Sequence, residues 1–322
     1  MNRFQTTDLA AMELLSLREQ APVDSTEEDW KRLLETPPDM LYPWLSRVRL
    51  LMDEPRRLGK TVSCAFQFLS PLETGYASND IVRGLRWHDA DSAESEDALV
   101  MLHGAYADTF GTEKKLGRPT MNAGAHIYFV SLPYHMKRQP PGSAFSGQYL
   151  LSPDLPRLVD GILQGVADVG TLVASLRHAG YQRITLFGVS LGGLVASLTV
   201  QHIKLDGAYL LMPALDPYAT VYDPKVPSQL EDAQVRRALD AVTPTRPGDQ
   251  LLRADDMKLI SGEYDMMCPS GQVEAYGARW PGVEAQSYPS GHLTMSRHFG
   301  EIAESLAQFV ARRRDGSNIQ NV

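Results

Sequence analysis

The chain is short of several things that common functions require. Its two cysteines in 322 residues, Cys64 and Cys268, are too few for a disulfide framework. Cys64 sits in the strand-like run Val-Ser-Cys-Ala-Phe-Gln-Phe, where a buried inert thiol is expected. Positive charge is also scarce: 31 Lys and Arg against 39 Asp and Glu leave a net charge of −8. That balance argues against non-specific nucleic-acid binding, which needs a basic surface to neutralise phosphates. The one basic cluster, Arg312 to Arg314, reads as the solvated end of a last helix, where cations suit the dipole. The N-terminus lacks the apolar run of a secretory signal, and no window is expected to span a membrane. No pair of histidines has metal-ligand spacing, and no dinucleotide fingerprint or phosphate loop is present. The expectation is a soluble, cytoplasmic protein without metal or cofactor that acts on a small molecule. The oligomeric state stays open.

What is present is ordinary globular composition, 43% hydrophobic and 22% charged, enough for a sizeable core. Residues 1–60 read as a helical extension packed on the main domain, too small for a core of its own. Ser25-Thr26-Glu27-Glu28 suggests a capping box with Ser25 as cap, followed at helical spacing by Trp30, Leu33 and Leu34. Pro37, Pro38 and Pro43 then break the chain, and a second apolar stripe runs through Leu45, Val48, Leu50 and Leu51.

From residue 61 to the end the pattern is one domain of alternating strands and helices. Strand-like runs fall at 62–69, 81–87, 98–102, 127–132, 184–187, 208–212 and 257–260, several apolar throughout, as in strands buried on both faces. The clearest helix covers 155–179, where Leu158, Ile162, Val166, Val169, Val173 and Leu176 form one apolar face and Gly180 suits the left-handed cap. Residues 191–203 and 299–313 are further helices. Alternation of this kind predicts a mostly parallel sheet covered on both faces. Residues 217–256, polar and Pro-containing with a short helix near 230–241, read as a cap insertion over a pocket.

The sharpest local signal is Thr185-Leu-Phe-Gly188-Val189-Ser190-Leu191-Gly192-Gly193, a strand, a Gly-x-Ser-x-Gly turn and a helix. A serine hydroxyl becomes reachable when it projects from a sharp strand-to-helix turn. Side chains two residues either side would collide there, so glycine fits at 188 and 192. The pattern alone is weak, since chance yields it in roughly one sequence in ten at this glycine content. Its partners add specificity. A serine needs a base, and of eight histidines His292, in a loop after a strand-like run and before the last helix, is best placed to reach it. The base needs an acid, and Gly262-Glu263-Tyr264-Asp265 follows a strand with two carboxylates. Asp265 is the choice, with Glu263 the alternative and Asp216 a weaker one. Cys268 nearby reads as a packing residue. Two amides must bind the oxyanion: that of Leu191, after the nucleophile, and that of Ala105, in the loop His103-Gly104-Ala105-Tyr106 after the strand 98–102. His103 is expected to orient that loop.

In Leu102-His103-Gly104, Gly188-Val189-Ser190-Leu191-Gly192-Gly193, Gly262-Glu263-Tyr264-Asp265 and Gly291-His292, over roughly residues 65–314, the chain resembles the α/β-hydrolase superfamily. The resemblance implies an eight-stranded, mostly parallel sheet with helices on both faces and a covalent acyl-enzyme mechanism. A narrower likeness, to the abhydrolase-domain-containing-18 group, rests on the helical N-terminal extension and on Leu132-Pro133-Tyr134-His135-Met136-Lys137-Arg138-Gln139-Pro140-Pro141, and it supplies no substrate. That last loop follows a strand, so Tyr134, His135 and Arg138 are candidate substrate contacts, with Arg138 suited to a carboxylate or other anion. A purely structural loop is the alternative. The expected activity is hydrolysis of an ester, thioester or amide through an acyl-enzyme at Ser190. The rival readings are an acyltransferase, lactonising or dehydrating enzyme on the same fold, and a non-catalytic binding protein.

Overall fold

The computed structural model describes residues 1–37, 40–42, 47–220, 232–244 and 251–316. Ten strands form one sheet: β1 (Leu51–Met52), β2 (Arg56–Leu58), β3 (Thr61–Leu69), β4 (Ile81–Asp89), β5 (Asp97–Leu102), β6 (His126–Val130), β7 (Arg183–Val189), β8 (Gly207–Leu211), β9 (Met257–Gly262) and β10 (Glu284–Tyr288). Their order is β1-β3-β4-β6-β5-β7-β8-β9-β10, with β2 also paired to β3. From β6 through β10 every pairing is parallel, whereas β1, β2, β3 and β4 are joined antiparallel. The eight expected strands are all there. The additional pair, β1 and β2, corrects the reading of 45–60 as helical: Leu51 and Met52 lie extended against β3, and Val48 and Leu50 lie outside any helix. An apolar stripe on a two-residue strand and its approach cannot be told from a helical stripe by spacing alone. Leu45 lies outside the described residues.

The helices are α1 (Arg3–Ser16), α2 (Glu27–Glu35), α3 (Gly111–Asn122), α4 (Leu155–His178), α5 (Leu191–His202), α6 (Pro217–Thr220), α7 (Asp232–Leu239), α8 (Ser270–Gly277) and α9 (Phe299–Gly316). The α2 box starts one residue later than expected. Thr26 caps and Asp29 reaches back, because the Ser25 hydroxyl is already donated to Asp154, the N-cap of α4. Of the segment expected as a cap, residues 221–231 and 245–250 lie outside the described residues; the described part holds α6 and α7.

Strand alternation splits the core in two. Val100 and Leu102 face α4 and α5, packing with Leu158, Ile162, Val166, Leu194 and Leu198. Leu99 and Met101 face the other way, with Leu116 and Met121 of α3 and Leu306 and Phe309 of α9. Each such side chain contributes about 1.5–3 kcal/mol on burial. Helix α4 ends as its sequence predicts: Gly180 has φ +100°, and the amides of Gly180 and Tyr181 bond the carbonyls of Arg177 and Leu176. The same helix corrects the expectation that no window reaches a membrane span. Its 24 residues are long and apolar enough, but 89% of the most apolar window is buried within the protein. A helix sandwiched between a sheet and other helices needs apolar residues nearly all round.

Candidate active site

Parallel strands bring their carboxyl ends to one edge, and the loops leaving that edge carry the candidate residues. Ser190 follows β7 directly. Its backbone has φ +54° and ψ −116°, a strained state for any residue but glycine. The elbow is held by three hydrogen bonds: the Ser190 amide to the Leu211 carbonyl at 3.0 Å, and the amides of Leu194 and Ala214 to the Ser190 carbonyl at 3.0 and 3.1 Å. The expected glycine requirement is met in detail. A Cβ on Gly188 would lie 2.2 Å from the Gly192 carbonyl oxygen, and one on Gly192 would lie 2.5 Å from that of Leu102. Gly193 is equally constrained, with a Cβ falling 2.7 Å from Pro213.

Gly192 is therefore pressed against the start of the β5 loop. Gly104 in that loop approaches Ser190 closely enough that a Cβ there would sit 3.5 Å from the serine Cβ. Ala105 follows it. The amides of Ala105 and of Leu191, at the first turn of α5, donate to no protein acceptor among the described residues. The loop is fixed by His103, as expected from its position. This ring is fully buried; its Nδ1–H donates to the Gly104 carbonyl at 2.8 Å, and Nε2 accepts the Leu132 amide at 3.0 Å. Burial pushes its pKa down to about 4, so it stays neutral and joins the loops after β5 and β6.

Asp265 and His292 meet. The imidazole Nδ1 donates to Asp265 Oδ2 at 2.8 Å, while Oδ1 accepts the amides of Met267 and Cys268 at 2.9 and 2.7 Å. Those three donors orient the carboxylate and leave Nε2 as the ring's other nitrogen. Glu263 is exposed, and Asp216 accepts the Ala219 amide at the start of α6, so of the three carboxylates weighed it is Asp265 that holds the ring. Burial disfavours the charged form of His292. The Cys268 side chain beside the ring and the Asp265 carboxylate outweigh that, holding its proton affinity well above that of a free histidine.

The loop after β6 is a correction. Tyr134, His135 and Arg138 do not line an open mouth; they are 2%, 0% and 0% exposed. Arg138 Nε donates to the Asn79 carbonyl and Nη1 to that of Ser131, both at 2.9 Å, and Nη1 lies 2.8 Å from Asp168 Oδ2 on α4. The His135 Nδ1–H donates to the Pro133 carbonyl at 2.8 Å, and the ring presses on Gly147. A carboxylate inside α4 pulls the guanidinium inward, so a loop that reads as a substrate contact is a brace.

One residue escaped the sequence reading. Asp8 of α1, 0% exposed, accepts the backbone amides of Met266, His292 and Leu293 at 3.1, 2.7 and 3.1 Å. The helix falls within the stretch 1–60 expected to be helical, and the structure shows Asn2 and Gln5 closing a reciprocal capping box at its start, but nothing local marks Asp8 among the other acids. Among the described residues, no group of three or more His, Cys, Asp and Glu side chains could hold a metal ion.

No protein-family model matches the chain, and no curated protein matches it. Solved structures do. Acetyl xylan esterase 1 from Thermoanaerobacterium sp. JW/SL YS485 superposes with a TM-score of 0.60 at 16% identity, covering 91% of this chain and 96% of that one. An acetyl xylan esterase from Paenibacillus sp. R4 gives 0.56 at 13% identity, over 89% and 96%. An S-formylglutathione hydrolase from Agrobacterium tumefaciens gives 0.55 at 12%, over 81% and 99%. With the strand order and the two helical layers, these likenesses establish the α/β-hydrolase fold.

Proposed function

We propose that the protein is a serine hydrolase that cleaves an ester, thioester or amide through an acyl-enzyme at Ser190. The observation that carries this reading is the Asp265–His292 bond at the carboxyl edge of the sheet that also presents Ser190 on its strained elbow. In the reaction, His292 removes the Ser190 proton as the oxygen attacks the substrate carbonyl. Asp265 keeps the imidazole in the tautomer with Nδ1 protonated and stabilises the imidazolium. The amides of Leu191 and Ala105 receive the developing oxyanion, aided by the positive end of α5. His292 then gives its proton to the leaving group, activates a water molecule, and the ester to Ser190 is hydrolysed. The esterases among the similar structures favour an ester as the substrate class. The test is labelling with a fluorophosphonate, followed by mass spectrometry of the modified peptide. Wild type is expected to carry the label on Ser190, and Ser190→Ala to lose both the label and at least roughly a thousandfold in turnover. Near-normal turnover by Ser190→Ala would reject the mechanism.

A further inference from the structure

Asp8 of helix α1 lies 258 to 285 residues away in sequence from the amides it bonds in the loops that bear the acid and the base. Phe4 stacks on Tyr264, next to Asp265, with ring centroids 5.6 Å apart and planes 7° from parallel. Arg297, five residues beyond His292, lies over the Phe4 ring at 5.9 Å from its centroid. One turn further on, Asp8 is wholly buried. Its Oδ2 accepts the amides of Met266 and His292, and its Oδ1 accepts that of Leu293. No other hydrogen bond and no cation engages this carboxylate among the described residues. The fit is close: Gly291 has no room for a side chain, since a Cβ there would fall 2.6 Å from Asp8 Oδ2. Beyond the helix, Arg18 packs over Tyr106 at 4.9 Å, in the loop that carries Ala105. The N-terminal segment therefore runs from the acid and base loops to the oxyanion loop.

We infer that Asp8 is a positioning residue for the reaction: its carboxylate ties the Asp265 loop to the His292 loop through three backbone amides and so sets the approach of the two side chains. This rests on the serine-hydrolase reading of the site. The physical reason is that two loops hold a donor–acceptor pair in register only as firmly as their backbones are tied to each other. The two loops share one direct backbone bond, the Tyr264 amide to the Ser290 carbonyl at 3.1 Å, and the Asp8 carboxylate, with two oxygens, carries the tie past it to Met266, His292 and Leu293. Misplacement of reacting groups by about 1 Å costs up to roughly 100-fold in rate, while substrate binding, made elsewhere, is unaffected.

The test uses the full chain carrying Asp8→Ala or Asp8→Asn, with Glu13→Ala, on the exposed side of the same helix, as control. With an activated ester, both Asp8 variants are expected to lose about 10- to 100-fold in kcat with KM within about twofold, and Glu13→Ala to match wild type. The downfield NMR proton of the His292–Asp265 bond should weaken or vanish in the Asp8 variants, a change that mere loss of stability in a folded sample does not produce. If the Asp8 variants do not fold, Phe4→Ala, which loosens the same seat from its rim, is expected to give a smaller loss confined to kcat. Folded Asp8 variants, or in their place Phe4→Ala, with wild-type kcat and an unchanged NMR proton would overturn the assignment. Failure of the wild-type protein to label at Ser190 would instead remove the reading on which it rests.

Discussion

Two loops at the same edge of the sheet each present a histidine among polar neighbours, and they have opposite fates. In the loop after β6, His135 faces a backbone carbonyl through Nδ1 and is enclosed on every side; burial, with neighbouring His103 and Arg138, holds its pKa well below that of a free histidine. In the loop after β10, His292 is mostly buried, its side chain 11% exposed, but its Nδ1 faces a carboxylate and its pKa lies well above. Both rings lose water. The difference is what stands beside each ring, the Cys268 side chain and the Asp265 carboxylate in one case and His103 and Arg138 in the other, and it separates a brace from a candidate base. Acidic partners follow the same logic: Asp168 is spent on the permanent cation of Arg138 deep in α4, whereas Asp265 has three N–H donors, and the partner whose charge can change is His292 itself.

Breaking the charged partner should have the largest effect. Asp265→Asn is expected to lower kcat by about 10³- to 10⁴-fold, because an amide presents the wrong hydrogen-bonding group to the ring. Steady-state kinetics on an activated ester checks this, and a loss of less than tenfold would dissociate the pair from the chemistry. On the other side of the comparison, Arg138→Met should leave Asp168 buried without its cation and cost about 3–5 kcal/mol of stability. Denaturant melts would measure it. The double variant Arg138→Met/Asp168→Leu should recover much of that loss, and failure to recover would mean that the pair is more than a brace.

The pH dependence of activity sharpens the contrast. His292 must be neutral to accept a proton, and its pKa is raised, so kcat/KM should rise with pH through an apparent value above the 6.5 of a free histidine. The sign for stability is opposite. A raised folded-state pKa gives stabilisation that is full below about 6.5 and fades as pH climbs through the folded value. A profile that levels off below pH 6 would contradict the pairing. The smallest effect concerns Glu113 on α3, 2% exposed and pushed up to about 7 by burial, with Oε2 unpartnered among the described residues. Its folded pKa is above its unfolded one, so stability falls as pH rises from about 4.5 through 7, by at most about 3 kcal/mol. Glu113→Gln should therefore gain more thermal stability at pH 8 than at pH 5, as paired melts would show.

Much of the architecture was legible because it follows from local periodicity. The apolar runs at 98–102, 127–132, 184–187, 208–212 and 257–260 name the central strands, and the 155–179 stripe names α4 to within a residue. The elbow was legible because glycine is the residue that clears carbonyls at 2.2 and 2.5 Å. The short strands β1 and β2 were not, since a few residues carry no period. The direction of Arg138 was hidden as well: Pro-Tyr-His-Met-Lys-Arg has the same composition whether its guanidinium meets solvent or Asp168.

By itself, then, the sequence determined the central strands of the sheet, the strand-to-helix turn that carries Ser190, and the candidates His292 and Asp265, because each depends on residues within a few positions. Tertiary structure alone decided which carboxylate meets His292, that Tyr134, His135 and Arg138 brace the core, and that Asp8 reaches across to residues 266, 292 and 293. Those outcomes depend on contacts between distant segments, and burial and partner charge exist only once the chain has closed.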